Sequence, residues 1–135
     1  MKLTNSAIYA LRAVFLISEN EFDKPVSCRQ LASDGEMPER FLLQILRNLV
    51  ANGILRSVRG VIGGYLLKSQ PDQLTVLDII EAASGPIESQ NLAEKIPNCS
   101  FTKKLQHLLE EISAQQRGEL GAVTIADLMG ADSGE

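Results

Sequence analysis

The sequence predicts a mainly α-helical fold with a small β-hairpin, arranged as a winged helix-turn-helix followed by a long C-terminal helix. Two helix-prone segments are separated by the turn Ser33–Glu36, and the second segment is amphipathic. Two β-prone runs follow over residues 56–67, with a glycine-rich turn between them. Residues 100–116 then place leucine and isoleucine at helical spacing.

The length and composition describe one globular domain, or one domain with a small appendage. Of the 135 residues, 44% are hydrophobic and 22% are charged, which excludes a disordered chain. No apolar run approaches the roughly 18 residues that a bilayer-spanning helix needs. The two cysteines, Cys28 and Cys99, provide no disulfide framework, so we expect a cytoplasmic protein.

The formal charge of −4 is unevenly distributed. Residues 1–68 hold nine Lys and Arg against six Asp and Glu, whereas residues 69–135 hold four against eleven. The hairpin lies in the basic half. An acidic protein of this kind can therefore still bind a polyanion through one end.

The first two helices have recognisable starts. Thr4 or Asn5 is expected to cap a helix over residues 4–19, which carries apolar side chains at helical spacing: Ile8, Leu11, Phe15 and Leu16. Ser27–Gln30 has the form of a capping box, with the Gln30 side chain reaching back. It predicts a short helix to about Ala32.

The third helix is predicted from Pro38, at its first position, to a stop at Gly53. One face gathers four apolar side chains: Leu42, Ile45, Leu46 and Leu49. The opposite face carries Arg40, Gln44 and Arg47, with Leu43 at its edge. Such a face can read the major groove of DNA, although most solvated amphipathic helices look similar.

The hairpin places Arg56 and Arg59 at the base of a glycine-rich tip. An arginine there can enter a narrow minor groove, and glycines permit close approach. The alternative is an ordinary solvated hairpin. The candidate DNA-binding residues are Arg29, Pro38, Glu39, Arg40, Leu43, Gln44, Arg47, Arg56, Ser57, Arg59, Gly60, Gly63, Gly64 and Tyr65.

The second half is predicted to hold three more helices. Residues 70–73 form a turn, Thr75–Asp78 starts a helix that ends before Gly85, and residues 86–98 are irregular. The long helix over residues 100–116 stops at Gly118. Thr124–Asp127 caps a last short helix. The predicted division is a winged domain over 1–85, a linker with the long and short helices over 86–130, and a disordered tail over 131–135.

The long helix is the candidate dimerisation helix. Its apolar stripe consists of Leu105, Leu108, Leu109 and Ile112. The same helix of a second subunit could cover this stripe across a two-fold axis. Alternatively, it folds back on its own domain with the first helix as cover.

Five sequence features together resemble the Rrf2 family of bacterial winged-helix transcription regulators. They are Met1-Lys-Leu-Thr4, Tyr9, Asn52-Gly-Ile-Leu55, Ser57-Val-Arg-Gly60 and Gly63-Gly-Tyr-Leu-Leu67. The resemblance implies that the helix matching Pro38–Ala51 enters the major groove and that Arg59 enters the minor groove. It also implies a homodimer paired through the long helix. We therefore expect a DNA-binding repressor that acts as a homodimer on palindromic operators.

Two positions depart from the family pattern. Many members hold an iron–sulfur cluster with three cysteines and a further ligand such as histidine, whereas Cys99 is alone in that region. Thr102, His107 and nearby glutamates, Glu88 and Glu94, make a poor substitute, so we expect no cluster and no other cofactor. Leu43 also stands where cluster-binding members can place a base-reading glutamate. The operator should therefore differ from theirs.

Other functions remain open. A winged helix can serve as a protein–protein assembly module instead of binding DNA. Cys99 could act as a thiol switch near a helix N-terminus, although a structural cysteine is the plainer interpretation, and the same holds for Cys28. A partner protein or a metabolite could be the effector, or the protein could bind DNA constitutively and be controlled by its abundance. The single histidine and the absence of triad, phosphate-loop and zinc patterns argue against an enzyme.

Overall fold

The computed structural model describes residues 1–130, and the predicted disordered tail, 131–135, lies outside the described residues. Within this range the chain forms six α-helices and one antiparallel two-stranded sheet. The elements in chain order are α1 (Asn5–Glu19), α2 (Cys28–Gly35), α3 (Glu39–Ala51), β1 (Leu55–Val58), β2 (Gly64–Leu67), α4 (Val76–Ser84), α5 (Ser100–Gly121) and α6 (Ile125–Met129). Short 3-10 turns occupy Pro71–Gln73 and Leu92–Glu94, the second within the segment predicted as irregular.

The helix starts follow the sequence closely. The Thr4 hydroxyl accepts a hydrogen bond from the Ala7 amide at 3.0 Å, and the Ser27 hydroxyl accepts one from the Gln30 amide at 3.1 Å. The capping boxes that begin at Thr75 and Thr124 are complete. The predicted return bond from the Gln30 side chain is wrong, because its amide instead donates to Asp34 one turn later.

The end of α2 lies further along the chain than predicted. The helix continues to Gly35, and Glu36 takes the left-handed conformation at φ 56°. The Met37 amide then donates to the Ala32 carbonyl at 2.9 Å. A Cβ at Gly35 would lie 2.5 Å from Met37 Cε and 3.1 Å from Leu16 Cδ1, so the flexible Met37 side chain would have to shift.

The core forms around α1, which packs against α4, α2 and α3. The buried face of α1 is Ala7, Ala10, Ala13, Val14 and Ile17, so neighbouring helices approach small side chains closely. Ile8, in the predicted apolar stripe, is 46% exposed. The predicted buried face of α3 is confirmed: Leu42, Ile45, Leu46 and Leu49 are at most 2% exposed.

The hairpin is anchored to the start of α2. Strands β1 and β2 pair from Leu55 with Leu67 to Val58 with Gly64. Val26, just before α2, exchanges two backbone hydrogen bonds with Tyr65 of β2, at 2.9 and 3.1 Å. This bridge fixes the base of the hairpin against the helix-turn-helix.

The segment that leads into the C-terminal helix α6 bonds to the start of α4. The Val76 amide donates to Val123 at 2.9 Å, and the Ile125 amide donates to Leu74 at 2.8 Å. Ile125 is 2% exposed and belongs to the main hydrophobic core. No helix among the described residues is long and apolar enough to cross a membrane.

Candidate nucleic-acid interface

The exposed face of α3 carries the predicted polar residues. Arg40, Gln44 and Arg47 are exposed, and Leu43 is half-buried at the edge of this face. The Gln44 side-chain amide donates to Asn48 Oδ1 at 3.3 Å. The arrangement follows from helical spacing, because the opposite leucine face is buried in the core. The helix therefore presents two guanidinium groups and an amide to solvent.

The start of α2, α3 and β2 meet at a junction beside this face. The Cys28 thiol donates to the Glu39 carbonyl at 3.7 Å. Burial, and secondarily the Glu39 charge, raises the pKa of the Cys28 thiol, which opposes the lowering that a position in the first turn of a helix favours. Burial and Cys28 raise the pKa of Tyr65, while nearby Arg47 opposes the rise. The segment from Val26 to Cys28 thus links the start of α3 to the hairpin.

The hairpin tip is a tight turn. Gly60 has φ 118°, and the Gly63 amide donates to the Gly60 carbonyl at 3.1 Å. Arg59, directly before the turn, is exposed. The tip itself consists of Val61 and Ile62, which the sequence interpretation did not single out although two aliphatic residues in a turn are unusual. The turn therefore presents one arginine and two apolar side chains together.

Two glycines of the candidate set have a packing role. A Cβ on Gly63 would lie 2.2 Å from the Val58 carbonyl oxygen, and one on Gly64 would lie 2.5 Å from the Val26 carbonyl group. Both contacts are with backbone, which cannot move aside as a flexible side chain could. These glycines shape the hairpin whether or not they touch a ligand.

Arg56 lies in a different group from the α3 residues. It lines a cleft of about 350 Å³ together with Lys24 and Lys68, and the residues that line this cleft include none from α3. Lys24 also pairs with Glu21 at 3.3 Å. The sequence places these three cations far apart in the chain, so their proximity was not foreseen.

The remaining predicted residues lie on exposed surface near the helix starts and the hairpin. Arg29 is the second residue of α2, Pro38 is the N-cap of α3 rather than its first residue, and Glu39 follows it. Ser57 is exposed on β1. Element by element, the candidate residues occupy α2, α3 and the hairpin as predicted.

The long helix α5 leaves its apolar stripe largely uncovered within one chain. Leu108 is 50% and Ile112 42% exposed, while Leu105 and Leu109 are half-buried. The helix also runs past Gly118, the predicted stop, to Gly121. Its C-terminal part packs on α4, where Arg117 forms an ion pair with Glu81, and this contact offsets the weak helix propensity of glycine.

Cys99 is the N-cap of α5 and is exposed. Its Sγ lies 3.4 Å from Thr102 Oγ1, which also donates to the Pro97 carbonyl at 2.5 Å. The Thr102 hydroxyl and the first amides of the helix hold the pKa of the Cys99 thiol below its usual value. The Thr102 hydroxyl has one proton, which it donates to the Pro97 carbonyl here. It can therefore stabilise the Cys99 thiolate only after it rotates that proton towards Sγ.

The donor set around Cys99 does not fit an iron–sulfur cluster. Thr102 is occupied as described, and His107 Nε2 lies 3.7 Å from a Glu111 carboxylate oxygen on the same helix face. Among residues 1–130, no three Cys, His, Asp or Glu side chains converge as a metal site. A cluster requires several thiolate or imidazole ligands at one point, and this chain supplies one thiol there.

Comparisons with known proteins match this architecture. The model of the Rrf2 family, described as iron-dependent transcriptional regulator, matches residues 3–131. The HTH-type transcriptional regulator CymR of Bacillus subtilis is 32% identical over 94 residues, which cover 70% of this chain and 68% of that protein.

Two solved structures show the same fold over nearly the whole chain. The structure of CymR, the global cysteine regulator of B. subtilis, superposes with a TM-score of 0.78 at 28% identity, covering 95% of both chains. The IscR of T. potens superposes with a TM-score of 0.77 at 25% identity, covering 100% of this chain and 92% of that one. The predicted winged-helix fold is confirmed, and the chain belongs to the Rrf2 family of transcriptional regulators.

Proposed function

We propose that this regulator is a repressor that binds palindromic operators as a homodimer, in the cytoplasm, without enzymatic activity. The single observation that carries the DNA-binding assignment is the joined surface of α3 and the hairpin. The segment of residues 26–28 bonds to both elements, through the Cys28 thiol to the Glu39 carbonyl of α3 and through the Val26 backbone to Tyr65 of the hairpin, so α3 and the hairpin are held side by side. A helix and a wing that meet in this way can occupy a major groove and the adjacent minor groove together.

The charges of this surface suit DNA. Arg40 and Arg47 are exposed on α3, and Arg59 is exposed on the wing. Arginine bonds guanine edges in the major groove, and it is drawn into narrow minor grooves by their negative potential. Leu43 at the edge of the helix face offers an apolar contact for a thymine methyl group.

The homodimer is proposed from the uncovered stripe on α5. Leu108 and Ile112 remain about half exposed although α5 packs its C-terminal part on α4. A two-fold axis through this stripe would pair two copies isologously and set two winged domains at a fixed spacing. Such a pair would match the two half-sites of the proposed palindromic operator.

We propose that the regulator works without an iron–sulfur cluster, because Cys99 lacks companion ligands within the described chain. The Rrf2 family is described as iron-dependent regulators. A member without a cluster would respond to a different signal from its cluster-binding relatives. The effector would be a partner protein, a metabolite or the oxidation of Cys99. The proposed boundary between the winged domain and the dimerisation region lies between residues 85 and 86.

The test begins with selection of a binding site from a random-sequence DNA pool by the wild-type protein. Fluorescence anisotropy on the selected duplex then compares Arg47→Ala and Arg59→Ala with the wild type. Each variant should lose about 1–3 kcal/mol of binding free energy. Lys104→Ala is the matched control, since it removes an exposed cation from α5 and should bind as the wild type does.

Failure of the proposal has a clear signature. If no site is enriched, or if both arginine variants bind as tightly as the wild type, the surface of α3 and the wing is not the DNA interface. Binding to a protein with little salt dependence would then favour the assembly-module alternative, because phosphate contacts give a log–log salt slope of about −0.9 each.

A further inference from the structure

The tip of the wing carries the two most exposed large apolar residues of the described chain. Val61 is 104% exposed and Ile62 is 87% exposed. Turns are ordinarily built from polar residues, since an aliphatic side chain in water gains nothing from folding. Two such side chains side by side therefore point to a contact made outside the chain.

Backbone contacts shape the turn at the tip. The hydrogen bond from the Gly63 amide to the Gly60 carbonyl closes the turn, and Gly60 takes its positive φ of 118°. The backbone of Gly63 lies against the Val58 carbonyl. Val61 and Ile62 thus project from a closed turn, which lowers the entropy that a binding contact would have to overcome.

The surroundings of the tip identify its partner. Arg59, two residues before Val61, is exposed, and a cleft of about 600 Å³ lined by Lys24, Glu19 and Asp34 lies between the tip and the helices α1 and α2. Arg59 favours an anionic partner, and Val61 and Ile62 require one that also presents apolar surface. The minor groove of DNA meets both conditions, because phosphates flank walls formed by deoxyribose, and apolar side chains are used there by minor-groove proteins.

We propose that Val61 and Ile62 contact the deoxyribose walls of the minor groove beside the site where Arg59 enters. This inference rests on the proposed function, because it requires the wing to reach DNA. The aliphatic pair supplies affinity that does not depend on charge, while Arg59 supplies the electrostatic part. The two contributions are separable because only the second releases counterions.

The experiment uses the full chain and a fluorescein-labelled duplex that carries the selected site. The double variant Val61→Ser/Ile62→Ser is compared with Phe22→Ser, which removes an 86% exposed apolar side chain from the α1–α2 loop. The tip variant should bind about tenfold more weakly, as expected when two aliphatic side chains lose partial burial. Its salt slope should equal that of the wild type, whereas Arg59→Ala should flatten the slope by about one per wing, or about two for the dimer. Phe22→Ser should change neither quantity.

Hydroxyl-radical footprinting locates the contact, because the radical attacks deoxyribose from the minor groove. Wild-type protein should protect the sugars next to each half-site, and the tip variant should lose that protection although it still binds the duplex. Equal affinity and an unchanged footprint for the tip variant would overturn the inference. Intact binding by Arg47→Ala and Arg59→Ala would instead overturn the proposed function, so the two failures are distinguishable.

Discussion

At the scale of single residues, two glycines are expected to respond to alanine in opposite directions. Gly64 has φ 155°, and its Cβ would strike the Val26 backbone, so Gly64→Ala should destabilise the fold by about 1–3 kcal/mol. Gly118 lies inside α5 with open space around its Cα, so Gly118→Ala should stabilise the fold by up to about 1 kcal/mol. Urea unfolding at one fixed protein concentration measures both changes. A neutral Gly64→Ala would show that the bridge between Val26 and Tyr65 is loose.

The two cysteines are expected to differ in reactivity. The pKa of Cys99 is lowered by the Thr102 hydroxyl and the helix amides, whereas burial raises that of Cys28. Because the thiolate is the nucleophile, alkylation of Cys99 by iodoacetamide should reach its half-maximal rate at a lower pH than alkylation of Cys28. The measurement compares Cys28→Ser and Cys99→Ser proteins across pH 6–10, a range chosen to span roughly the usual thiol pKa.

Thr102 provides the matched test of that difference. Thr102→Val removes the hydroxyl but keeps the helix amides, so the pH profile of Cys99 should move upward without returning fully to that of a free thiol. An unchanged profile would assign the lowered pKa to the helix amides alone. A Cys99 that reacts more slowly than Cys28 at every pH would contradict the assignment and remove the basis for a thiol switch.

At the scale of helices and strands, sequence predicts where a helix begins better than where it ends. Thr4, Ser27, Thr75 and Thr124 all cap as expected, because a cap depends on residues within one turn. The ends of α2 and α5 were set too early, because each depends on packing with a distant element. Gly118 illustrates this: α5 continues beyond it to Gly121, where the helix packs on α4 and Arg117 forms an ion pair with Glu81.

The apolar stripe of α5 yields a prediction about assembly. Leu108→Glu should place a charge on a surface that is half exposed in one chain but buried in the proposed dimer. Sedimentation at micromolar concentration should then show a monomer, and circular dichroism should show the helix content of the wild type. Lys103→Glu, an exposed position on the same helix outside the stripe, is the control and should remain a dimer. A Leu108→Glu dimer would exclude this stripe as the interface.

At the scale of the whole molecule, sequence predicted which elements carry the candidate interface but not how they meet. Helical periodicity predicts which residues of α3 face the core and which face solvent. The glycine-rich turn predicts the hairpin and the position of its arginine. The bridge between Val26 and Tyr65, and the proximity of Lys24 to Arg56 in one cleft, join positions far apart in the chain. One sequence carries no direct signal for such contacts.

The salt dependence of DNA binding should reflect the basic first half, the acidic second half and the proposed dimer. Each winged domain should neutralise a few phosphates, and the acidic half should face away from DNA. The log–log salt slope on the full palindrome should therefore be about twice the slope on a duplex with one half-site, at about −0.9 per phosphate. Leu108→Glu protein, as a monomer, should show the shallower slope on both duplexes. If the wild type gives one slope on both, each palindrome is bound by a single domain, and dimerisation serves another purpose.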